Sequence, residues 1–461
     1  MSASDFDNTV LSNRHTELVA VWQTSADQRY LLQRLPDMAW AAPQDNPYPL
    51  LSVDPAQQYQ TIEGFGFALT GGSAMLLASL AASERQALLR ELFSVQQGVG
   101  ISVLRLSIGA SDLSESCYTY DEVPPGSSDF ALRYFDLNAG DQQVLPLLRE
   151  ILAINPQLML VATAWSAPTW MKTNQTFIGG KLRTDCYAVY AAYLVRYLTA
   201  MRANGFTIHA LTPQNEPLNQ KNEPSMVMTA AEQAEFISQH LGPALQANGL
   251  QDVALWCWDH NCDVKEYPLA VFADAAARQY LRGSAWHLYG GDIAVLSEVH
   301  AAYPEMKLYF TEQWVGSDGQ FSGDLLWHVR HVLIGALRNW SSMVLEWNLA
   351  ADPNCCPHTP GGEARCVGAL TIGAGITRNV AYYVIAHAAK FIPPGAIRIA
   401  STALEQLPNV ALRTPQGEVV LLVLNDASTA QQFTLRDQGQ QVVLSLPAAS
   451  VASYVWASES V

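Results

Sequence analysis

Short apolar segments alternate with longer amphipathic segments from about residue 61 onward. This alternation is typical of repeated strand and helix units, and it differs from the pattern of a β-sandwich or a helix bundle. Eight apolar segments have the length of a strand, at 62–69, 101–108, 157–165, 208–215, 252–258, 284–289, 306–312 and 341–347. Eight strands, each followed by a helix, predict an α/β fold of the (β/α)8 or TIM barrel type.

The segments between these strands carry helix signals. Residues 83–93 read SERQALLRELF, in which Ser83 is the expected N-cap. Two longer stretches end at Gly205 and Gly249, and glycine is the residue that most often follows the C-terminus of a helix. These helices are therefore expected to cover the outside of the barrel.

Both ends of the chain have a different pattern. After the last barrel segment, strand-length stretches with alternating apolar and polar residues are separated by Gly, Asn, Asp and Pro, and three stretches before residue 60 look the same. This pattern predicts antiparallel strands. We expect a catalytic barrel over residues 61–394 and an attached antiparallel β-sandwich built from both termini, residues 15–60 with 395–461.

The chain is acidic, with 26 Lys and Arg against 42 Asp and Glu and a formal net charge of −16. Nucleic acid and anionic membranes select for clustered positive charge, so neither is expected as a partner. The sequence has no run of 18 or more apolar residues, so stable membrane insertion is not expected either. The first thirty residues are acidic and polar where a secretion signal has a basic start and an apolar centre, which predicts a cytoplasmic location, with a secreted form as the alternative.

The cysteines also bear on the compartment. Seven is an odd number, so a fully paired disulfide framework is excluded and a reducing environment is favoured. Cys355, Cys356 and Cys366 lie close together in a segment rich in Pro and Gly. A local disulfide among these three is the alternative left open.

Catalytic groups of a TIM barrel lie at the C-terminal ends of its strands. Two carboxylates surrounded by aromatic side chains suit glycoside hydrolysis, because one protonates the leaving oxygen, the other attacks the anomeric carbon, and flat rings stack on sugars. The fourth and seventh strands face each other across the barrel, which predicts a carboxylate pair about 5 to 5.5 Å apart, as retaining hydrolysis requires. The strand ends carry Arg105, Asp112, Trp165, Trp170, Asn215, Glu216, His287, Tyr289, Glu312, Trp314, Glu346, Trp347 and Asn348.

No metal and no organic cofactor are expected. His328 and His331 have a metal-compatible spacing, but they lie in an amphipathic helix without a Cys or Asp ligand nearby. The Gly64-Phe65-Gly66 element lacks the third glycine of a dinucleotide-binding loop. The deficit of basic residues favours a neutral substrate.

Eight stretches resemble, in order along the chain, glycoside hydrolase family 30, and specifically its glucosylceramidase branch. The ordered combination is specific, whereas any one tripeptide is not. The stretches are QTIEGFGFALT (60–70), GISVLRLSIGASDLSESCYTYDE (100–122), ATAWSAPTWMKTN (162–174), ALTPQNEP (210–217), AWHLYGG (285–291), LYFTEQWVGS (308–317), LEWNLA (345–350) and AHAAKFIPPGAIRI (386–399).

The resemblance implies a retaining β-glycosidase that hydrolyses β-D-glucosides, with Glu216 as acid/base and Glu312 as nucleophile. The partner that it implies is a β-glucoside, either a small molecule or an oligosaccharide, with a glycolipid as a further candidate. It implies that Asn215 donates a hydrogen bond to the sugar 2-hydroxyl, an interaction that strengthens in the transition state. The remaining matches are Asp112, Trp165 and Trp347 around the glucose and Arg105, His287 and Tyr289 around the nucleophile.

These neighbours lead to expectations about protonation. A cation and a phenol beside Glu312 should keep the nucleophile ionised by charge and hydrogen bonding. The acid/base should have the opposite bias, with apolar walls raising the pKa of Glu216.

Three positions depart from the family pattern and leave the leaving-group preference open. Leu288 stands where Trp is usual, Glu346 stands where Asp is usual, and the bulky Trp314 lies two residues past the nucleophile. Alternatives to a glucosylceramidase are therefore an endo-β-1,6-glucanase or a β-xylosidase on the same scaffold, and a catalytically dead glycan-binding protein.

Each proposed catalytic carboxylate has a rival in the sequence. Asn222-Glu223-Pro224 repeats the tripeptide around Glu216, but only Glu216 directly follows an apolar strand. Glu346 is the rival of Glu312 as nucleophile, and the family resemblance favours Glu312. Glu346 is expected to anchor a supporting network instead.

Overall fold

The structure, a computed structural model, describes residues 18–458. The strands, in chain order, are β1 (Leu18–Ser25), β2 (Gln33–Ala39), β3 (Leu50–Thr61), β4 (Gly64–Ala68), β5 (Val103–Ile108), β6 (Met159–Ala164), β7 (Ala210–Thr212), β8 (Ala254–Cys262), β9 (Leu281–Gly291), β10 (Lys307–Glu312), β11 (Val315–Gly316), β12 (Ser341–Asn348), β13 (Ala350–Ala351), β14 (Cys366–Val367), β15 (Leu370–Ile372), β16 (Ile376–Arg378), β17 (Ile397–Ser401), β18 (Asn409–Arg413), β19 (Glu418–Asn425), β20 (Gln431–Asp437), β21 (Gln440–Leu446) and β22 (Ser450–Ala457).

The helices cover the outside of the barrel and connect its strands. They are α1 (Gly71–Ser79), α2 (Ala82–Phe93), α3 (Val144–Ile154), α4 (Tyr187–Ala203), α5 (Ala230–Phe236), α6 (Gly242–Ala247), α7 (Glu266–Ala273), α8 (Ala275–Arg278), α9 (Val295–Ala302), α10 (Phe321–Trp327), α11 (Gly335–Arg338) and α12 (Val380–Ala389). Single π-helical segments, Ile237–Leu241 and His328–Ile334, join α5 to α6 and α10 to α11.

Eight parallel strands close into a barrel in the order β10-β12-β4-β5-β6-β7-β8-β9. Each corresponds to one of the eight apolar segments, so the predicted TIM barrel is confirmed. The barrel interior toward the N-terminal ends of the strands is apolar. It includes the stacked rings of Trp256 and Tyr309, whose centroids lie 3.7 Å apart. Because side chains two residues apart share a face of a strand, the next interior layer toward the C-terminal end contains Arg105, His287 and Thr311. The interior thus becomes polar and charged toward the C-terminal ends of the strands.

Two local helix predictions differ from the structure. Helix α2 begins at Ala82, with Ala81 as its N-cap and no side-chain cap, so Ser83 lies inside the first turn. The predicted single helix ending at Gly249 is interrupted by the π-helical segment between α5 and α6. Its start is strongly specified, because Thr229 and Glu232 form a reciprocal capping box.

The sandwich contains strands from both ends of the chain, as predicted. Its strands follow the order β2-β1-β22-β19-β18-β17-β3-β20-β21, and an apolar core with residues such as Val21, Leu421, Phe433 and Tyr454 lies between the layers. Most pairs are antiparallel, but β20 runs parallel to the start of β3. Residues 15–17 and 459–461 of the predicted domain lie outside the described residues.

Helix α12 joins the barrel to the sandwich through a buried histidine. The Nδ1 atom of His387 lies 2.7 Å from Ser453 Oγ on β22, and its Nε2 atom lies 2.8 Å from Thr24 Oγ1 on β1. Burial lowers the pKa of His387 to about 3. The interface therefore holds the neutral imidazole.

This contact predicts that acid weakens the folded state. The unfolded chain takes up a proton on His387 near pH 6.5, whereas the folded chain resists it until about pH 3, so stability falls as the pH drops below 6.5. Between pH 7 and pH 5 the wild type should lose about 2 kcal/mol from this group. Guanidinium unfolding of wild type and His387→Asn at both pH values measures the difference, and equal losses in the two proteins would contradict the prediction.

The structure bears on the expectations about a local disulfide and about membrane insertion. All seven cysteines are free thiols, so the alternative of a local disulfide among Cys355, Cys356 and Cys366 is wrong for this structure. Within residues 18–458, every helix is too short or too polar to span a bilayer.

Candidate active site

Two buried carboxylates face each other at the C-terminal mouth of the barrel. Glu216 follows β7, Glu312 ends β10, and one carboxylate oxygen of each lies within 4.8 Å of the other. Glu216 has a backbone φ of 45°. Residues other than glycine rarely adopt this conformation, and those that do cluster at functional sites. The separation fits the short carboxylate spacing of retaining glycosidases.

Glu312 accepts hydrogen bonds from a cation and a phenol. Arg105 Nη1 lies 2.5 Å from Oε2, and the Tyr289 hydroxyl lies 2.9 Å from Oε1. The two expected neighbours of the nucleophile are therefore in place. Burial raises the pKa of Glu312 above its ordinary value, while His287 and Arg105 act in the opposite direction.

Glu216 has polar neighbours. His287 Nδ1 lies 3.2 Å from Oε1, Asn219 donates to Oε2 at 2.7 Å, and His260 Nε2 lies 3.8 Å from Oε1. Burial alone would raise the pKa of Glu216, but hydrogen bonding from His287 and the charges of the two imidazoles lower it to about 2. The expectation that apolar walls raise this pKa is therefore wrong for the free protein.

Asp259 connects the two halves of the site, and sequence reasoning missed it. Its Oδ1 lies 3.1 Å from His287 Nε2 and accepts from Thr311, while its Oδ2 accepts from Arg105 at 3.0 Å and from Thr212 at 2.6 Å. Asp259 is fully buried within β8. The sequence does carry a signal for this residue, because Asp259 directly follows the fifth apolar segment.

The backbone at Asp259 is bent to reach this position. Trp258 and Asp259 have φ angles of 73° and 67°, and the pairing of β8 with β9 shifts register there. Such strained residues persist where the surrounding structure holds them in place. The bulge directs the Asp259 carboxylate into the barrel, between Arg105 and His287.

We expect Asp259→Asn to reduce kcat/KM about 100-fold, because Arg105 and His287 would lose the charge that orients them. Steady-state kinetics on an aryl β-glucoside measures this loss. Glu346→Gln is the matched control, since Glu346 is also buried within a barrel strand but bonds His328 at 2.7 Å. Equal kinetics in the two variants would contradict the central role of Asp259.

An aromatic wall, the pocket wall, lines the barrel mouth beside this pair. Trp165 and Trp347 pack 5.4 Å apart with Leu113 and Cys366, and Arg105 lies over both indole rings. Asp112 is buried at the same mouth, and burial together with the charges of Glu312 and Glu216 raises the pKa of Asp112 to about 7.

The other predicted site residues are placed as follows. Asn215 Oδ1 accepts a hydrogen bond from Arg105 at 2.6 Å, which aligns its amide next to Glu216. Trp314 packs against the pocket wall and keeps part of its ring exposed. Glu346 bonds His328 in a supporting network, as expected, and Glu223 lies in the loop whose main chain accepts from Thr359.

Glu216, His287 and Glu312 also have the spacing of a metal site. Their ligand atoms already have partners, however. Arg105 and Tyr289 donate to Glu312, and both ring nitrogens of His287 face carboxylates. The arrangement matches a hydrogen-bonded catalytic pair better than a cation cage.

A TIM barrel with two close carboxylates at the C-terminal ends of its fourth and seventh strands, beside paired tryptophans, defines a glycoside hydrolase. Residues 62–392 match the Glycosyl hydrolase family 30 TIM-barrel domain, and residues 395–454 match the Glycosyl hydrolase family 30 beta sandwich domain. The chain belongs to glycoside hydrolase family 30, whose typical mechanism is retaining.

Relatives with assigned names fall into two groups. An endo-1,6-beta-D-glucanase of Neurospora crassa is 35% identical over 83% of this chain and 81% of its own length. The lysosomal acid glucosylceramidase of Mus musculus is 30% identical over 88% of this chain and 83% of its own length. Among solved structures, the endo-beta1,6-glucanase BT3312 has a TM-score of 0.88 and 35% identity, covering 95% of this chain and 100% of its own.

Proposed function

We propose that this protein hydrolyses β-1,6-linked glucan, with Glu216 as acid/base and Glu312 as nucleophile. The observation that carries the chemistry is the carboxylate pair within 4.8 Å. Support for the substrate comes from the relatives, because the endo-1,6-glucanases reach 35% identity whereas the mouse glucosylceramidase reaches 30%. The glucosylceramidase interpretation of the sequence thus becomes the second candidate.

The reaction proceeds by double displacement. In the first step Glu216 protonates the leaving glycosidic oxygen while Glu312 attacks the anomeric carbon, which forms a covalent glucosyl-enzyme. In the second step Glu216 takes a proton from water, and the hydroxide equivalent releases glucose with its original anomeric configuration. Asn215, aligned by Arg105, donates to the 2-hydroxyl of the reacting sugar.

His287 is the protonated neighbour of Glu216 in the free protein. Both of its nitrogens face carboxylates, which accept and do not donate, so the ring carries a proton on each nitrogen. Burial opposes this charge, but Glu312, Asp259 and Glu216 raise the pKa of His287 to about 9. His287 Nδ1 donates to Glu216 Oε1 at 3.2 Å, which holds Glu216 as a carboxylate in the free protein, so Glu216 has to gain a proton on substrate binding before the first step.

A hydrolysis panel tests the substrate. Wild type would be assayed on linear β-1,6-glucan, glucosylceramide in mixed micelles, an aryl β-glucoside and an aryl β-xyloside. We expect β-1,6-glucan to give a kcat/KM at least tenfold above that for glucosylceramide, and the glucoside to be preferred over the xyloside. A preference for glucosylceramide would overturn the proposal in favour of the second candidate, and inactivity on every substrate would favour a dead glycan-binding barrel.

A further inference from the structure

Trp314 extends the aromatic wall of the sugar pocket outward to the rim of the cleft. It packs against the cluster that contains Trp165 and Trp347, which are only 2% and 4% exposed. Trp314 itself is partly exposed, and its indole N–H makes no hydrogen bond to any residue within 18–458. An accessible aromatic surface with an available donor therefore adjoins the pocket, two residues from Glu312.

Arg365 holds this indole in place. Its guanidinium carbon lies 5.0 Å from the centre of the Trp314 ring. Glu363 accepts two hydrogen bonds from the guanidinium, at 2.8 and 3.1 Å, and Asp318 accepts a third at 3.2 Å. A guanidinium held by two carboxylates restrains the ring beneath it, and such pre-organisation lowers the entropy cost of binding a ligand.

The backbone brings Trp314 and Arg365 together. Strand β11, after the seventh barrel strand, pairs with β14, after the eighth, and Ser317 N donates to Arg365 O at 2.9 Å. Gly316 leaves room for the indole, because a Cβ at this position would lie 3.0 Å from Trp314 Cζ3. The β11–β14 ribbon at the rim therefore fixes the position of Trp314 relative to Arg365.

We propose that Trp314, clamped by Arg365, forms the subsite for the sugar on the leaving-group side of the cleaved bond and selects carbohydrate over lipid leaving groups. This inference rests on the proposed function. In a β-1,6 linkage an exocyclic methylene separates the leaving-group ring from the glycosidic oxygen, so that ring lies further from the cleaved bond than a ring-linked sugar does. A stacking surface at the rim, outside the pocket, meets this requirement.

The charges around Trp314 favour the same ligand. Arg365 and Asp318 have side chains that are 51% and 69% exposed beside the indole, with Glu363 between them in the network. Charged side chains hydrogen-bond to sugar hydroxyls, whereas an alkyl chain placed there would desolvate them without compensation. A ceramide tail is therefore disfavoured at this rim.

The test compares two substrates that share the transferred glucose. The β-1,6-linked glucose trisaccharide fills the leaving-group side, whereas β-D-glucosyl fluoride leaves it empty. We expect the loss of kcat/KM in Trp314→Ala to be at least tenfold larger on the trisaccharide than on the fluoride, with most of the difference recovered in Trp314→Phe. For Arg365→Gln, the logarithm of the ratio between the two losses should be about half of its value for Trp314→Ala. Arg202→Gln, which breaks an exposed pair with Asp252 on the outside of the barrel, should match the wild type.

The outcomes separate the subsite from the proposed function. Equal losses on both substrates, or no loss on the trisaccharide, overturn the subsite even if wild type cleaves β-1,6-glucan. A Phe variant as impaired as the Ala variant overturns it as well. If wild type fails to cleave the trisaccharide, the proposed function fails, and the subsite, which is argued from the geometry of the β-1,6 linkage, is overturned with it.

Discussion

Replacing Glu312 with alanine should reduce kcat on an aryl β-glucoside by roughly four or more orders of magnitude, because no other group stands where the covalent bond forms. The methyl side chain also leaves space beside Arg105 and Tyr289, which donate to the carboxylate in the native site. Azide can enter that space and attack the anomeric carbon directly. We therefore expect azide to restore part of the rate and to give the α-glucosyl azide, which NMR identifies.

The matched control for this experiment is Glu346→Gln. Glu346 is the other carboxylate that follows a barrel strand in this sector, but it bonds His328. Its variant should keep activity within about tenfold of wild type and should not respond to azide. A near-native rate in Glu312→Ala, or azide rescue in the Glu346 variant alone, would move the nucleophile to Glu346.

Replacing Glu216 with glutamine should have an effect that depends on the leaving group. An amide cannot protonate the leaving oxygen, so kcat/KM on β-1,6-glucan should fall about 1,000-fold. A dinitrophenyl β-glucoside needs no such proton, and its kcat/KM should fall less than about tenfold. Added azide should raise kcat on the dinitrophenyl substrate and give the β-glucosyl azide, because Glu312 still forms the glucosyl-enzyme.

Glu223→Gln is the control for Glu216, since both residues stand in an Asn-Glu-Pro tripeptide. Only Glu216 lies at the end of a barrel strand and bonds His287. The Glu223 variant should therefore resemble wild type on both substrates. Equal losses on good and poor leaving groups in the Glu216 variant would reject its role as acid.

In the free protein, the pKa of Glu216 lies below the pKa of its neighbour His287. Glu216, the proposed acid, has a pKa of about 2, and the proton lies on His287, whose pKa is raised to about 9. No local sequence pattern announces this reversal. It arises because β8, β9 and β10 bring Asp259, His287 and Glu312 into one buried hydrogen-bonded group.

The sequence by itself determined the barrel and the sandwich, and it also pointed to the proposed catalytic pair. Strand period, helix period and the short Asn-Glu-Pro and Thr-Glu-Gln motifs are local signals, and a parallel barrel places every strand end at the same mouth. Glu216 and Glu312 could therefore be proposed without coordinates. The expected N-cap at Ser83 failed because the helix began two residues earlier, which local propensity does not resolve.

The tertiary structure alone decided what surrounds that pair. Asp259 reaches Arg105 and His287 only through a bulge with two left-handed residues, and Arg365 reaches Trp314 only through the ribbon between β11 and β14. The first contact joins residues of three barrel strands, and the second joins segments that follow the seventh and eighth strands. Both depend on packing across the whole barrel mouth. Protonation follows from such distant neighbours, since charge and burial act through space and not along the chain.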